Sequence, residues 1–254
     1  MASTLKELAE HIEPNLLPRA TFETLRQDGF VYVAGPHSAN LHPHRIDDIA
    51  KAVEWSRSES RRRGHRDLEW WVGWSTTPID LGERLLELGL VRSDDPPTLT
   101  ALTCTVEPPA APAIEIRRVE TLADYQAALE VDWEVWQVPE EERVKRREAE
   151  LERFESMQAA TGNVHHFSAF LDGENVGFGR AIDMEGAVAL YGGAVLPEAR
   201  GHGVYRALVH ARWEHAVARG TPALVVQAGP MSAPILSGLG FTAHGEVQLF
   251  KDRL

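Results

Sequence analysis

The stretch "EARGHGVYRAL", Glu198 to Leu208, decides the reading of this chain. Gly201 and Gly203 stand between Arg200 and Arg206, and an apolar-periodic segment runs from Val204 to about Arg219. A helix N-terminus carries unpaired N–H groups and a partial positive charge. Glycines let such a backbone come close to a ligand. The combination is an anion site, most often for phosphate, and Arg200 and Arg206 add charge-assisted donors. Before it, "AVALYGGAVLP" (Ala187 to Pro197) reads as a strand whose double glycine marks a bulge or a close backbone approach. After it, "ALVVQAG" (Ala223 to Gly229) reads as a strand buried on both faces. A dinucleotide fingerprint would need glycine where Arg206 stands, and a nucleotide-hydrolase loop would need Gly-Lys-Ser or Gly-Lys-Thr.

The rest of the second half has the same α/β grain. Ala113 to Val119 reads as a strand. Thr121 caps a helix reaching Trp133, with Asp124 three residues on, and Pro139 opens a charged helix reaching Ala160. His166 to Asp183 reads as two strands around an Asp172-Gly173 turn. "SAPILSGLGF" is a short helix, and Val247 to Lys251 a last strand. The Pro- and Ala-rich "VEPPAAPAIEI" (Val106 to Ile116) is an extended linker, so a boundary is expected near residue 110, with units at 1–109 and 113–254.

Residues 200–205, Arg-Gly-His-Gly-Val-Tyr, resemble motif A of the GNAT superfamily of N-acetyltransferases. Ala194 to Ala199 is similar to the strand ending that precedes this motif, and "ILSGLGF" (Ile235 to Phe241) to the closing motif B. The resemblance covers roughly residues 114 to 254 and implies a mixed α+β sheet and acetyl-CoA as acyl donor. It implies that the amides of Gly201, His202, Gly203, Val204, Tyr205 and Arg206 hold the pyrophosphate, with the Arg200 side chain beside them. It implies that Ala194 and Val195 bond the pantetheine arm, and that an N–H there polarises the thioester carbonyl. The reaction implied is attack by a neutral primary amine of a small molecule or peptide. Two positions depart from the family: Tyr205 replaces a small residue, and Leu236 stands where the usual general-acid tyrosine would be. The departure at Leu236 favours an alternative, a non-catalytic acyl-CoA-binding or sensing module.

The first half repeats the element order. "FVYVAG" (Phe30 to Gly35) parallels "ALYGGA", Arg45 to Gly64 the Val204 helix, Leu68 to Trp74 "ALVVQAG", and Leu85 to Leu90 "ILSGLGF". Its loop, "ANLHPHRID", has no glycine pair, and Pro43 removes a donor. The expectation is two GNAT-like units in tandem, the first degenerate and without CoA.

Other candidates have plainer readings. Tyr191 could reach the acyl site but reads first as a half-buried strand tyrosine. Glu134, beside Trp133 and Trp136, could receive an amine but reads first as a solvated helix-end carboxylate. His165 and His166 point to opposite faces, and His37, His42 and His44 show no ligand geometry, so no metal is expected. Cys104, the one cysteine, excludes internal disulfides and reads as a buried strand residue. A net charge of −12 argues against nucleic-acid partners, and no stretch has the length of a membrane span. A cytoplasmic protein is expected, with no sequence signal for its oligomeric state.

Overall fold

The computed structural model describes residues 3–19, 21–36, 38–94, 96–111, 114–159 and 162–254. His37, Ala113 and Ala160, which figure in the sequence reading, lie outside them. In chain order the elements are α1 (Leu5–Glu10), α2 (Ile12–Asn15), β1 (Glu23–Gln27), β2 (Phe30–Ala34), β3 (Ala39–Pro43), α3 (Ile49–Arg62), β4 (Asp67–Val72), α4 (Leu81–Glu87), β5 (Val91–Arg92), β6 (Thr98–Cys104), β7 (Glu115–Arg118), α5 (Leu122–Val135), α6 (Glu140–Ala159), β8 (Val164–Leu171), β9 (Glu174–Asp183), β10 (Val188–Val195), α7 (Val204–Ala218), β11 (Leu224–Ala228), α8 (Ala233–Gly238) and β12 (Thr242–Arg253).

The chain forms two compact units. One comprises Met1–Asn15, Thr21–Thr103 and Val226–Leu254; the other comprises Leu16–Ala20 and Cys104–Val225. The sequence drew a single boundary near residue 110. The chain instead crosses between Thr103 and Cys104 and returns at Val226, because β12 finds its partners in the first unit. It pairs antiparallel with β4 from Gln248↔Val72 to Arg253↔Asp67, and with β6 from Thr242↔Thr103 to Gln248↔Thr98. Phe250, fully buried, joins Tyr32, Leu41, Leu68, Trp70 and Leu85 in that unit's core. Arg57 clamps the buried Asp252 carboxylate with bonds of 2.8 and 2.9 Å. The Val106–Ile116 linker is no free spacer either: Pro108 accepts a bond from His210 of α7, and Ala111 is buried.

In the second unit β7, β8, β9 and β10 form an antiparallel ladder. β10 also pairs parallel with β11, but only at Val188↔Leu224 and Ala189↔Val225. Helix α5 lies on one face, where Ala128 and Val131 pack on Phe178 and Ala194. Helix α7 lies on the other, its Val204 and Leu208 close on Gly177. Thr121 caps α5 with a full capping box to Asp124, as its sequence implied. Ala128 and Val131 of α5 face the ladder, while Tyr125, Leu129 and Trp133 pack with Val138 and with Phe154 of α6.

Candidate functional site

The loop of the opening stretch ends β10 and starts α7. Gly201 and Gly203 have φ of +82° and +86°. Such left-handed backbone costs a residue with a side chain about 1–2 kcal/mol, which explains glycine at both positions. Gly203 is the N-cap of α7, and among the described residues no side chain caps the helix. The matching helix of the first unit differs: Asp48 caps α3 by accepting from the Lys51 amide at 3.0 Å. A carboxylate of the chain itself thus sits where α7 leaves its N-terminus open.

Beside the loop, β10 offers a free edge. Its pairing with β11 stops at Ala189, so among the described residues the strand continues to Val195 bonded on the β9 side only. An extended ligand can add there as a strand would. The β10–β9 register shifts between Tyr191 and Ala194, the bulge that the double glycine foreshadowed, and Gly192 takes φ +59°. Ala194 is fully buried and Val195 nearly so; Arg200 Nε bonds the Val195 carbonyl at 3.3 Å. Arg206 and His202 are exposed at the loop.

Tyr205 has found its space. Its ring packs against the bulge, where a Cβ built on Gly193 would lie 2.7 Å from Tyr205 Cε2. Burial pushes the phenol pKa up, and the Arg212 charge opposes that. Leu236 is fully buried in α8, a core position without a proton to give.

The acyl-site candidates sort differently. Tyr191 lies on β10 opposite Arg180 of β9. Glu134 is exposed and pairs with Arg143 at 2.9 Å. Trp133 is buried, whereas Trp136 is exposed and donates from Nε1 to Asp132 at 3.1 Å. Burial raises the Asp132 pKa against the pull of Arg180. The sequence reading passed over Asp132, whose place one turn before an exposed tryptophan was the available signal.

His165 and His166 do face opposite ways. His166 stacks on Phe178 at 5.6 Å and burial drives its pKa down to about 3. His165 turns to the α7 face, where it bonds Asp183 and its ring meets that of His215 at 4.1 Å; His215 bonds the same carboxylate. Among the described residues these three alone have the spacing of a metal-ligand set. Arg118 donates to His165 Nδ1 at 2.7 Å, which makes Nε2 the protonated nitrogen that donates to Asp183 at 3.0 Å. That tautomer has no Nε2 lone pair to give a metal. Arg219 completes the network on Asp183 at 3.0 Å. Burial of Asp183 works against ionisation, but the bonds from His165 and His215 and the Arg219 charge hold its carboxyl well below the usual range. The first unit holds His42 fully buried, both ring nitrogens without a hydrogen-bond partner among the described residues, near His11 and His44, whose rings meet at 4.2 Å. Cys104 is buried and donates to the Val106 carbonyl; burial raises its thiol pKa.

Residues 121–232 match the model of the acetyltransferase (GNAT) family. A GCN5-related N-acetyltransferase from Kribbella flavida superposes with a TM-score of 0.72 at 14% identity, over 99% of this chain and 96% of its own. A tandem GNAT protein from the clavulanic acid biosynthesis pathway gives 0.61 at 16% identity, over 99% and 88%. A GCN5-related N-acetyltransferase from Sphaerobacter thermophilus gives 0.57 at 17% identity, over 89% and 80%. These likenesses establish the fold. No curated protein matches the sequence significantly.

Proposed function

We propose, from the match of residues 121–232 to the acetyltransferase (GNAT) family model, that the chain transfers an acetyl group from acetyl-CoA to a primary amine of a small molecule or peptide. The observation that carries the reading is the uncapped N-terminus of α7 beside the free edge of β10. The amides from Gly201 to Arg206 would hold the pyrophosphate, with Arg200 and Arg206 beside it. The β10 edge at Ala194 and Val195 would bond the pantetheine arm. Acetyl-CoA supplies an activated acyl carbon. The amine nitrogen bonds to that carbon, the C–S bond breaks, and the proton released by the amine ends on the sulfur. Leu236 cannot carry that proton, so water or another group delivers it.

We assign CoA to the second unit only. The Asp48 carboxylate at the start of α3 accepts from the Lys51 amide, one of the donors that a phosphate would use, and its charge repels a phosphate. Calorimetry with CoA on the whole chain is expected to give one site. Gly203→Glu puts a carboxylate at the phosphate position and should weaken binding by at least about 100-fold, or about 2.7 kcal/mol. Unchanged affinity in that variant would end this reading. The CoA-sensing alternative has the buried Leu236 in its favour. It predicts binding without thiol release from acetyl-CoA across a panel of amines.

A further inference from the structure

The β10 bulge rests on an unusual support. Arg212 of α7 is fully buried, and its guanidinium lies against Gly179, whose added Cβ would sit 3.2 Å from Cζ. Its Nε donates to Leu208 O at 2.9 Å within the helix. Its Nη1 donates to two strand carbonyls, Arg180 O and Gly192 O, each at 3.2 Å. Arg180 of β9 is the last residue in register with Tyr191, before the ladder shifts to Phe178↔Ala194. Arg212 therefore bridges β9 to β10 where the ladder is interrupted.

The cost of this arrangement is high. Among the described residues no carboxylate pairs with Arg212, and Nη2 is buried without a partner. An uncompensated buried cation is strongly destabilising. A neutral side chain could fill the space, so what the charge does at this spot is the question.

Peptide geometry answers it. The Gly192 carbonyl and the Gly193 N–H belong to one trans peptide, so they point in opposite directions. A guanidinium on the carbonyl fixes that plane and directs the N–H away from α7. It also polarises the amide, making the N–H a stronger donor. Gly192, left-handed at φ +59°, would otherwise turn freely. Tyr205 closes the α7 side of the same bulge by packing on Gly193.

We propose that Arg212 is a positioning residue of the acyl site: it holds and polarises the Gly192–Gly193 peptide so that this N–H, rather than one at Ala194 or Val195, donates to the thioester carbonyl of bound acetyl-CoA. This rests on the acetyl-CoA reading above. Arg212 touches neither substrate nor reacting atoms and acts through the peptide alone. Because the pyrophosphate loop and the bulge are separate segments, loss of Arg212 should change the acyl carbonyl and spare CoA affinity.

The test uses CoA and acetyl-CoA carrying ¹³C at the thioester carbonyl, with the full chain. For wild type, calorimetry is expected to show CoA binding, and the bound carbonyl resonance should move downfield of free acetyl-CoA. Arg212→Met keeps length and loses charge. It should bind CoA within about threefold of wild type, while the carbonyl resonance returns most of the way to the free position. Arg212→Lys, which retains a cation, should restore part of the shift. Should Arg212→Met not fold, Gly179→Ala crowds the guanidinium without removing it and should reduce the shift in the same direction. A wild-type carbonyl shift in Arg212→Met, or in Gly179→Ala where Arg212→Met does not fold, overturns the inference while leaving the acetyl-CoA reading intact. Wild type that binds neither CoA nor acetyl-CoA overturns both.

Discussion

Replacing Gly193 with alanine would press a methyl group into the Tyr205 ring. The new Cβ would stand 2.7 Å from Cε2, against a comfortable carbon–carbon contact of about 3.5–4.0 Å. The ring must retreat by about 1 Å, and the first turn of α7 moves with it. Overpacking of this size destabilises by about 1–3 kcal/mol. Tyr205→Ala alone removes a ring that is not fully enclosed, so its cost should fall near 2–3 kcal/mol, at or below the low end for a buried aromatic. With both changes the clash is gone and the alanine methyl enters vacated space. The double variant should then be more stable than the sum of the singles by about 1–2 kcal/mol. Urea unfolding of the four proteins, compared through midpoints at a common slope, measures this coupling. Additivity within about 0.5 kcal/mol would refute the packing of Tyr205 on the bulge and, with it, the account of how this departure from the family pattern is accommodated.

The histidines and Asp183 predict opposite ends of the acid response. His42 is held well below pH 6.5 by burial and by His11 and His44, so its contribution to stability is complete above about pH 6.5 and is lost as pH falls below that toward its folded value. His42→Leu should flatten the decline of Tm between pH 6.5 and 4; an unchanged slope would show that His42 is protonated in the folded protein. Asp183, depressed in the fold, contributes stability that is present above about pH 3.9 and is lost as pH falls further through its folded value. Asp183→Asn leaves Arg219 without its carboxylate, and unfolding at pH 7 should show a loss of about 3 kcal/mol that shrinks toward pH 2. A loss that does not depend on pH would contradict the ion-pair role.

What the sequence disclosed was local. Gly201 and Gly203 need left-handed backbone, so the loop was readable from two residues. The α5 cap, the β10 bulge and the repeated strand–loop–helix–strand order are likewise set by neighbours in the chain. The partners of β12 were not readable, because strand choice depends on residues more than a hundred positions away. The reading also shortened that strand to Val247 to Lys251, since its early residues, Thr242 to Glu246, lack an apolar alternation. Arg212 sat in plain view as a cation on the apolar face of "ALVHARWEHAVA", but its carbonyl partners come from two other strands. Glu134 was singled out for its aromatic neighbours, and its pairing with Arg143 of the next helix could not be read from spacing.

The return of β12 to the first unit gives the chain a timetable. During synthesis residues 1–103 emerge early, yet β4 and β6 must wait for the strand that lies between them. The sequence from Cys104 to Thr242 takes on the order of ten seconds to make at about 5–20 residues per second. Throughout that interval two strand edges and the seat of Phe250 stay open, while the second unit, whose long segment is continuous from Cys104 to Val225, can already close. The part of the molecule that is made first is therefore completed last, and it is the part that a chaperone would be expected to hold on the ribosome.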